Sequence, residues 1–532
     1  MDQTRRPKRS LRQQQIERLD QGDFEAFVVG GGINGAVSAA ALAGRGIEVG
    51  LADQGDFGGF TSQESSNLIW GGFKYLQNYE IPLVYKLSRS RNKLMDAYPT
   101  IIGEVPFLAT LDESSPFPSW LAGAGSLAYW GLGMAHTKPP RYHRAQHIPQ
   151  VEPIINTAST DAAIEYSDGY LKDNDARFVW TFIRSGLDMG ATAANYVSVT
   201  GARRTPDDRW SIDLRDEITG RIMNATAKVL INAAGPFSNR LNKDLGITTK
   251  HRVAFSKGVH LVVPQLTAAE RILAFFDDTQ RLFYVIPMAH RSVIGTTDTR
   301  TTNARDPVTG EDRRFLLEQI NARLDLDQPL TTDDIIAERS GVRPLVVARN
   351  ETNHDETDWT ALSRKHEIEF DRQHKIVTIF GGKITDCLNV GDEIVDAVSA
   401  LGLRPGRETP WYGEPPPADR IAFYQEAGSV GLDRKPEVEW ARSMAEVLWR
   451  RHGSAAHKVV KAIRDDEDLG QPIMAETDVL RAEIPLYLDD EMVVNLDDLL
   501  RRRTKLAMLH RADDLAAEPG INGIGRVLLG LG

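Results

Sequence analysis

The chain has 532 residues, 41% of them hydrophobic and 26% charged, which is an ordinary folded composition with length for about two to four domains. Its net charge of −11 excludes a general nucleic-acid binder, whose surface field has to be positive, so an anionic substrate must be drawn in by a local basic cluster. One cysteine, Cys387, excludes an internal disulfide and any cysteine-based zinc or iron–sulfur centre, and no metal site is expected.

Residues 1–23 read as a solvated N-terminal arm. Met1 to Arg12 is basic and polar, but no apolar run follows, so it is not a secretory signal. Next comes the most informative stretch. The apolar run Ala26 to Val29 leads into Gly30-Gly31-Gly32-Ile33-Asn34-Gly35, an alanine-rich helical stretch from Ala36 to Gly44 follows, and a second strand-like run from Ile47 to Ala52 ends on Asp53. This is the order of a dinucleotide-binding βαβ unit. Gly30 makes the tight turn, Gly32 lets backbone approach a pyrophosphate, and Gly35 lets helix and strand pack closely. The helix N-terminus offers free N–H groups to the diphosphate, while Asp53 is placed to accept ribose hydroxyls. The glycines alone do not decide between FAD and NAD.

Trp120 to Ala135 is uncharged, glycine-rich and too short to span a bilayer. It reads either as a buried helix or as a segment that dips into one leaflet, with Trp120 and Trp130 at the interface. Further strand-like segments appear only much later. Lys228 to Gly235 ends in a small-residue turn that suits a cofactor, and Lys375 to Phe380 is followed by Gly381-Gly382 and a helical stretch. Between them, His260–Val263, Leu282–Pro287 and Ser292–Thr296 alternate like antiparallel strands. The fold class expected is therefore α/β: a discontinuous Rossmann-like nucleotide-binding domain over 24–410, with an inserted β-rich substrate domain. Cys387 reads as a buried small hydrophobe on a helix. Trp411 to Ala418 is the clearest linker. Beyond it, helices over Glu437–Arg451 (closed by Gly453) and Leu496–His510 predict a C-terminal helical domain over 415–532.

Several short segments, in order, resemble one family. They are Thr61-Ser-Gln-Glu-Ser-Ser-Asn-Leu-Ile-Trp-Gly-Gly-Phe-Lys-Tyr-Leu76, Lys257-Gly-Val-His-Leu-Val-Val-Pro264, Ile294-Gly-Thr-Thr-Asp298, Ser340-Gly-Val-Arg-Pro344, Phe380-Gly-Gly-Lys-Ile-Thr385 and Leu500-Arg-Arg-Arg-Thr-Lys505. They resemble the aerobic, FAD-dependent, quinone-linked glycerol-3-phosphate dehydrogenases from residue 24 to about 512. The resemblance implies FAD as cofactor and a Rossmann-like FAD-binding domain. It implies oxidation of sn-glycerol 3-phosphate or a close polyol phosphate to dihydroxyacetone phosphate. Electrons would pass to a membrane quinone from a homodimer in the cytoplasm, attached peripherally to the inner face of the cell membrane. The FAD contacts expected are Gly30, Gly32, Asn34, Gly35, Asp53, Thr61, Ser62, Ser65, Gly71, Gly72, Val197, Gly235, Gly381, Gly382, Lys383 and Thr385.

The chemistry of individual residues agrees. Gly381 and Gly382 are read as starting a helix after a strand, with N–H groups able to face negative charge on a reduced flavin, and Lys383 adds a positive charge. Arg343, fixed between Val342 and Pro344, offers a planar fork for a phosphate, and by the resemblance Lys74 and Tyr75 complete that pocket. His260 lies within an apolar strand, where a lone histidine reads as a hydrogen-bonded core residue; the resemblance instead implies that it is the base that removes the hydroxyl proton, which its ordinary titration range suits. Asp298 is expected to orient it or to bind a substrate hydroxyl. The chain departs from the family at Asn67, where lysine is usual, and at Trp70 and Lys74, where histidine and arginine are usual. Those departures put the substrate in doubt, not the fold. Two further readings stay open: an oxygen-using oxidase, and a flavin-binding protein without turnover. Membrane contact is expected through Trp120–Ala135 and the basic face of Leu500–Lys505.

Overall fold

The computed structural model describes residues 10–112, 115–158, 160–277, 280–349, 365–434 and 442–529. Residues 1–9 of the expected arm and the start of the helix expected from Glu437 lie outside the described residues. The rest of the arm is not a solvated tail: Leu11–Leu19 is a helix that buries Ile16 and Leu19 in a core with Phe24 and Phe27.

The first apolar run forms the strand Asp23–Val29, which sits inside an eight-stranded sheet. It pairs in parallel with Val49–Ala52 on one side and with Ile222–Asn232 on the other. Ile376–Phe380 then pairs in parallel with Ile222–Asn232. Strands from three distant parts of the chain thus lie side by side, which is the discontinuous domain expected. The helix Ile33–Gly44 follows the glycine turn, and its alanines are buried almost throughout. Small side chains let two further helices, Asp175–Asp188 and Cys387–Ala400, pack closely against it in one core. Cys387 is buried at the start of its helix, and burial pushes its thiol well above the ordinary range.

A second, ten-stranded sheet carries the inserted part. Its longest pairing is antiparallel, between His251–Pro264 and Ala337–Ala348, and sets Ser256 opposite Arg343 and His260 opposite Arg339. Arg291–Gly295 and Leu282–Met288 continue the sheet in antiparallel order. Side-chain alternation places Ser256, Gly258 and His260 on one face of the long strand.

The C-terminal region is helical, with two differences from expectation. Met444–His452 begins at the capping box of Ser443 and Glu446 and ends at Gly453. The continuous helix expected over 496–510 is instead a π-helix, Asp498–Arg503, followed by extended backbone at Thr504 and a short helix, Leu506–Leu509. The break follows from what the arginines bind. Arg501 bonds Glu64 and the carbonyl of Gln63, while Arg502 and Arg503 share Asp56. Lys505 donates to the carbonyl of Lys172 at 3.0 Å. All three arginines are buried, so Leu500–Lys505 is not a lipid-facing basic surface. It ties the helical region to the loop after the second strand, since charges that leave water must be paired. The expected linker is also partly core: Trp411 is buried against Phe182 and Gly391.

Candidate active site

Gly30 has φ of +102°, and a side chain there would press on the carbonyl of Ala233. A methyl group on Gly35 would overlap the carbonyl oxygen of Gly30. Both glycines are therefore required by the turn itself. Asp53, buried at the end of its strand, accepts the N–H of Gly31 at 2.6 Å and that of Gly55 at 2.8 Å. Burial outweighs those two bonds and raises its carboxyl to about 6. Asp53 thus pins the glycine turn as well as facing the cavity.

That cavity measures about 710 Å³, within the usual range for ligand sites. Of the expected cofactor residues, Gly30, Gly32, Asn34, Asp53, Thr61, Ser62, Val197, Gly235, Gly381 and Gly382 line it. Gly35 supports the turn from behind. Ser65, Gly71, Gly72, Lys383 and Thr385 do not line this cavity; they lie in the loop that continues from Thr61 and Ser62 and in the turn that continues from Gly381 and Gly382. The Ile33–Gly44 helix presents its N-terminus here, where the N–H of Ile33 meets the Ser62 hydroxyl at 3.0 Å. The sequence did not single out Arg305, which lies over the rings of Phe60 and Phe237 at the cavity wall. A cavity of this size, a glycine turn that admits close approach, helix N–H groups and a buried acid fit FAD.

Gly381 and Gly382 have φ of +64° and +106° and do not start a helix. A 3-10 turn, Ile384–Asp386, comes first, and the α-helix begins at Cys387. Asn34 reaches across from the first helix and donates to the carbonyl of Gly381 at 2.8 Å, fixing the turn over the cavity. Thr385 accepts the N–H of Trp70 at 3.0 Å, joining this turn to the loop that begins at Thr61. Lys383 donates to the hydroxyl of Tyr75 at 2.6 Å and lies over its ring, so its charge is held in place rather than mobile. Lys74 is the neighbour of Tyr75 on the same 3-10 turn, Phe73–Asn78.

The same loop crosses the second sheet. Thr61 donates to the carbonyl of Val342 at 2.7 Å, and Glu64 packs on Gly341. Ser65 accepts the N–H of Asn67, and Gly71 donates to the buried carboxylate of Asp168, which Arg91 and Tyr129 also bind. Beneath the loop lies Arg343, which donates to the Thr296 hydroxyl at 2.9 Å and sits 3.4 Å from Asp298. A methyl group on Gly258 would overlap its guanidinium, so that glycine makes the space in which the fork lies. His260 is two residues along on the same face and only 1% exposed. Its Nε2 is 2.8 Å from the Ser66 hydroxyl. Burial first, then Arg339, Arg343 and Arg501, hold the imidazole well below its ordinary value, so it rests neutral. Asp298 does not orient this base: it bonds Ser256 and Arg343. Trp70 stands 5.9 Å from Tyr75, ring to ring.

The turn is braced from behind. His366 lies 2.9 Å from Asp386 through Nδ1 and 2.9 Å from Glu393 through Nε2. Burial would lower it, but the two carboxylates win and raise it from 6.5 to about 9. Its folded value exceeds its unfolded one, so the stabilisation, up to about 3 kcal/mol, is complete below pH 6.5 and is lost as pH rises through about 9. Thermal denaturation should show a gap between wild type and His366→Gln at pH 6 that shrinks by pH 9.5. A gap that is equal at both would contradict this assignment.

Comparison with known proteins gives a consistent picture. Residues 25–360 match the model of the FAD dependent oxidoreductase family, and residues 422–528 match the C-terminal domain of alpha-glycerophosphate oxidase. A glycerol-3-phosphate dehydrogenase of Pseudomonas aeruginosa is 28% identical over 499 residues, covering 91% of this chain and 92% of the relative. D-erythritol 1-phosphate dehydrogenase of Brucella abortus is also 28% identical, over 90% of this chain and 94% of the relative. Among solved structures, the glycerol-3-phosphate dehydrogenase from Bacillus halodurans complexed with FAD superposes with a TM-score of 0.74 at 21% identity, over 98% of this chain and 94% of that one.

Proposed function

The chain belongs to the FAD-dependent oxidoreductase family and takes FAD as its cofactor, and from that premise we propose that it oxidises sn-glycerol 3-phosphate or a close polyol phosphate to the corresponding ketone. One observation carries the reading: Arg343 and His260 share one face of the second sheet, beneath the Thr61–Leu76 loop and beside the Gly381–Lys383 turn. Bound FAD supplies the two-electron acceptor for the carbinol hydrogen. Arg343 holds the phosphate with its planar fork, steered by Thr296 and Asp298, and Lys74 and Lys383 add positive charge. His260, neutral at rest, is the proton acceptor for the substrate hydroxyl. Purified protein with an artificial dye as acceptor should convert sn-glycerol 3-phosphate to dihydroxyacetone phosphate. No ketone from any polyol phosphate would remove the reading. The alpha-glycerophosphate oxidase likeness of residues 422–528 supports a second acceptor, oxygen, and peroxide produced faster than a short-chain quinone is reduced would select it.

A quinone stays in the bilayer, so the reading includes peripheral membrane attachment. No helix among the described residues is long and apolar enough to cross a membrane. The helix Ser119–Leu132 instead buries Ala122, Ser126 and Tyr129 and turns Trp120, Leu121 and Leu127 outward, with Trp120 70% exposed. Tyr79, Ile81 and Met134 are exposed as well, and the strand Arg141–Arg144 carries two exposed arginines, Arg141 and Arg144. Indole and aliphatic groups would supply most of the affinity, while the two arginines add about 1 kcal/mol each near anionic lipid. In liposome flotation, binding should weaken with salt without vanishing. Changing Leu121 and Leu127 to serine should release more protein than salt does, whereas wild type that fails to float at low salt would contradict the attachment.

A further inference from the structure

Ser66 carries no role in the account above, yet its hydroxyl is the sole hydrogen-bond partner of the His260 imidazole among the described residues, at 2.8 Å from Nε2. The imidazole is 1% exposed, and its Nδ1 is enclosed without a hydrogen-bond partner. Ser66, by contrast, is only half-buried, within the Thr61–Leu76 loop that crosses the sheet. Of the two, the serine is therefore the member a substrate hydroxyl can reach from solvent. Trp70 stands where the resemblance places a histidine, so the loop itself offers no second imidazole.

We propose that Ser66 is a catalytic proton relay between the substrate hydroxyl and His260. The inference rests on the polyol-phosphate reading. The substrate O–H bond breaks and its proton passes to Ser66 Oγ, as the Ser66 O–H bond breaks and that proton passes to His260 Nε2. The carbinol hydrogen leaves with its two electrons to the bound FAD, and the carbonyl forms. Serine ends as a hydroxyl and histidine as an imidazolium. The relay needs the tautomer with hydrogen on Nδ1, so that Nε2 accepts. Sealed from solvent, Nδ1 cannot then discharge the imidazolium, and the proton returns only through Ser66. The charged groups facing this pair are Arg339 and Arg343 from the strand Ala337–Ala348, Arg501 from the C-terminal π-helix, Glu64 from the loop itself and Asp175, which pairs with Arg339.

Two measurements on the FAD-loaded protein decide it. The first is anaerobic stopped-flow reduction by sn-glycerol 3-phosphate in light and heavy water. Ser66→Ala should reduce its flavin roughly 100-fold or more slowly, the scale of lost acid–base help, with little change in substrate affinity. Its solvent isotope effect and pH profile should also differ from wild type, and Ser66→Thr should restore most of the rate. The second is ¹⁵N-histidine NMR, with the His260 signal assigned by its loss in His260→Gln. It should show hydrogen on Nδ1 and an Nε2 signal that shifts in Ser66→Ala. Ser66→Ala with the wild-type rate, pH profile and isotope effect would overturn the relay, as would hydrogen found on Nε2. If no polyol phosphate reduces the wild-type flavin, the substrate reading falls, and the NMR outcome still judges the Ser66–His260 link.

Discussion

Protein with Gly35 replaced by alanine is expected to emerge from purification without flavin colour. The added methyl would overlap the carbonyl oxygen of Gly30, and its other neighbour is the side chain of Ala233. None of these atoms is the end of a flexible side chain, so relief requires the helix Ile33–Gly44 to lift from the strand Asp23–Val29. The usual cost of overpacking is about 1–3 kcal/mol, and here it falls on the turn whose N–H Asp53 holds at 2.6 Å. Displacing that turn removes the close backbone approach and the helix N–H groups together. Flavin absorbance per mole of folded protein, with circular dichroism to confirm folding, checks the outcome. A full complement of FAD in Gly35→Ala would mean that the turn is not the cofactor's anchor.

Arg343→Ala should lose roughly 10- to 150-fold in kcat/KM for a polyol phosphate, or about 1.5–3 kcal/mol, the scale of a hydrogen bond to a charged group. The loss should be much smaller for glycerol, which has no phosphate to hold. Arg343→Lys should recover only part of it, because an ammonium keeps the charge and loses the fork. The guanidinium also bonds Thr296 and faces Asp298, so truncation leaves that carboxylate without one cation. Steady-state kinetics on both substrates separates these effects. Equal losses on both would make Arg343 a structural residue.

The nucleotide-binding turn was legible because its requirements are local. Glycines at Gly30 and Gly35 answer to backbone geometry within one turn, and Asp53 closes the same unit. The bringing together of His260, Arg343, Lys383 and the Thr61 loop followed from motif order and is not visible in any single window. Charge was the misleading signal. Arg501, Arg502 and Arg503 read as a basic face for anionic lipid because arginines are usually exposed, yet their partners, Glu64 and Asp56, lie more than 400 residues away in sequence. Asp298 was read as orienting the histidine or binding a substrate hydroxyl, whereas its carboxylate is set against Arg343 and Ser256. Ser66 gave no signal at all, since a serine neither titrates nor marks a period. For Trp120–Ala135 composition could not separate burial from exposure, and packing leaves the apolar stripe outside.

Anaerobic mixing of the purified flavoprotein with a panel of polyol phosphates tests the central claim without assuming an electron acceptor. Stoichiometric bleaching of the flavin by sn-glycerol 3-phosphate or a four-carbon polyol phosphate, with the non-phosphorylated alcohols slower, is the result predicted. A flavin that stays oxidised with every phosphate in the panel, or that bleaches equally fast with glycerol, would contradict it.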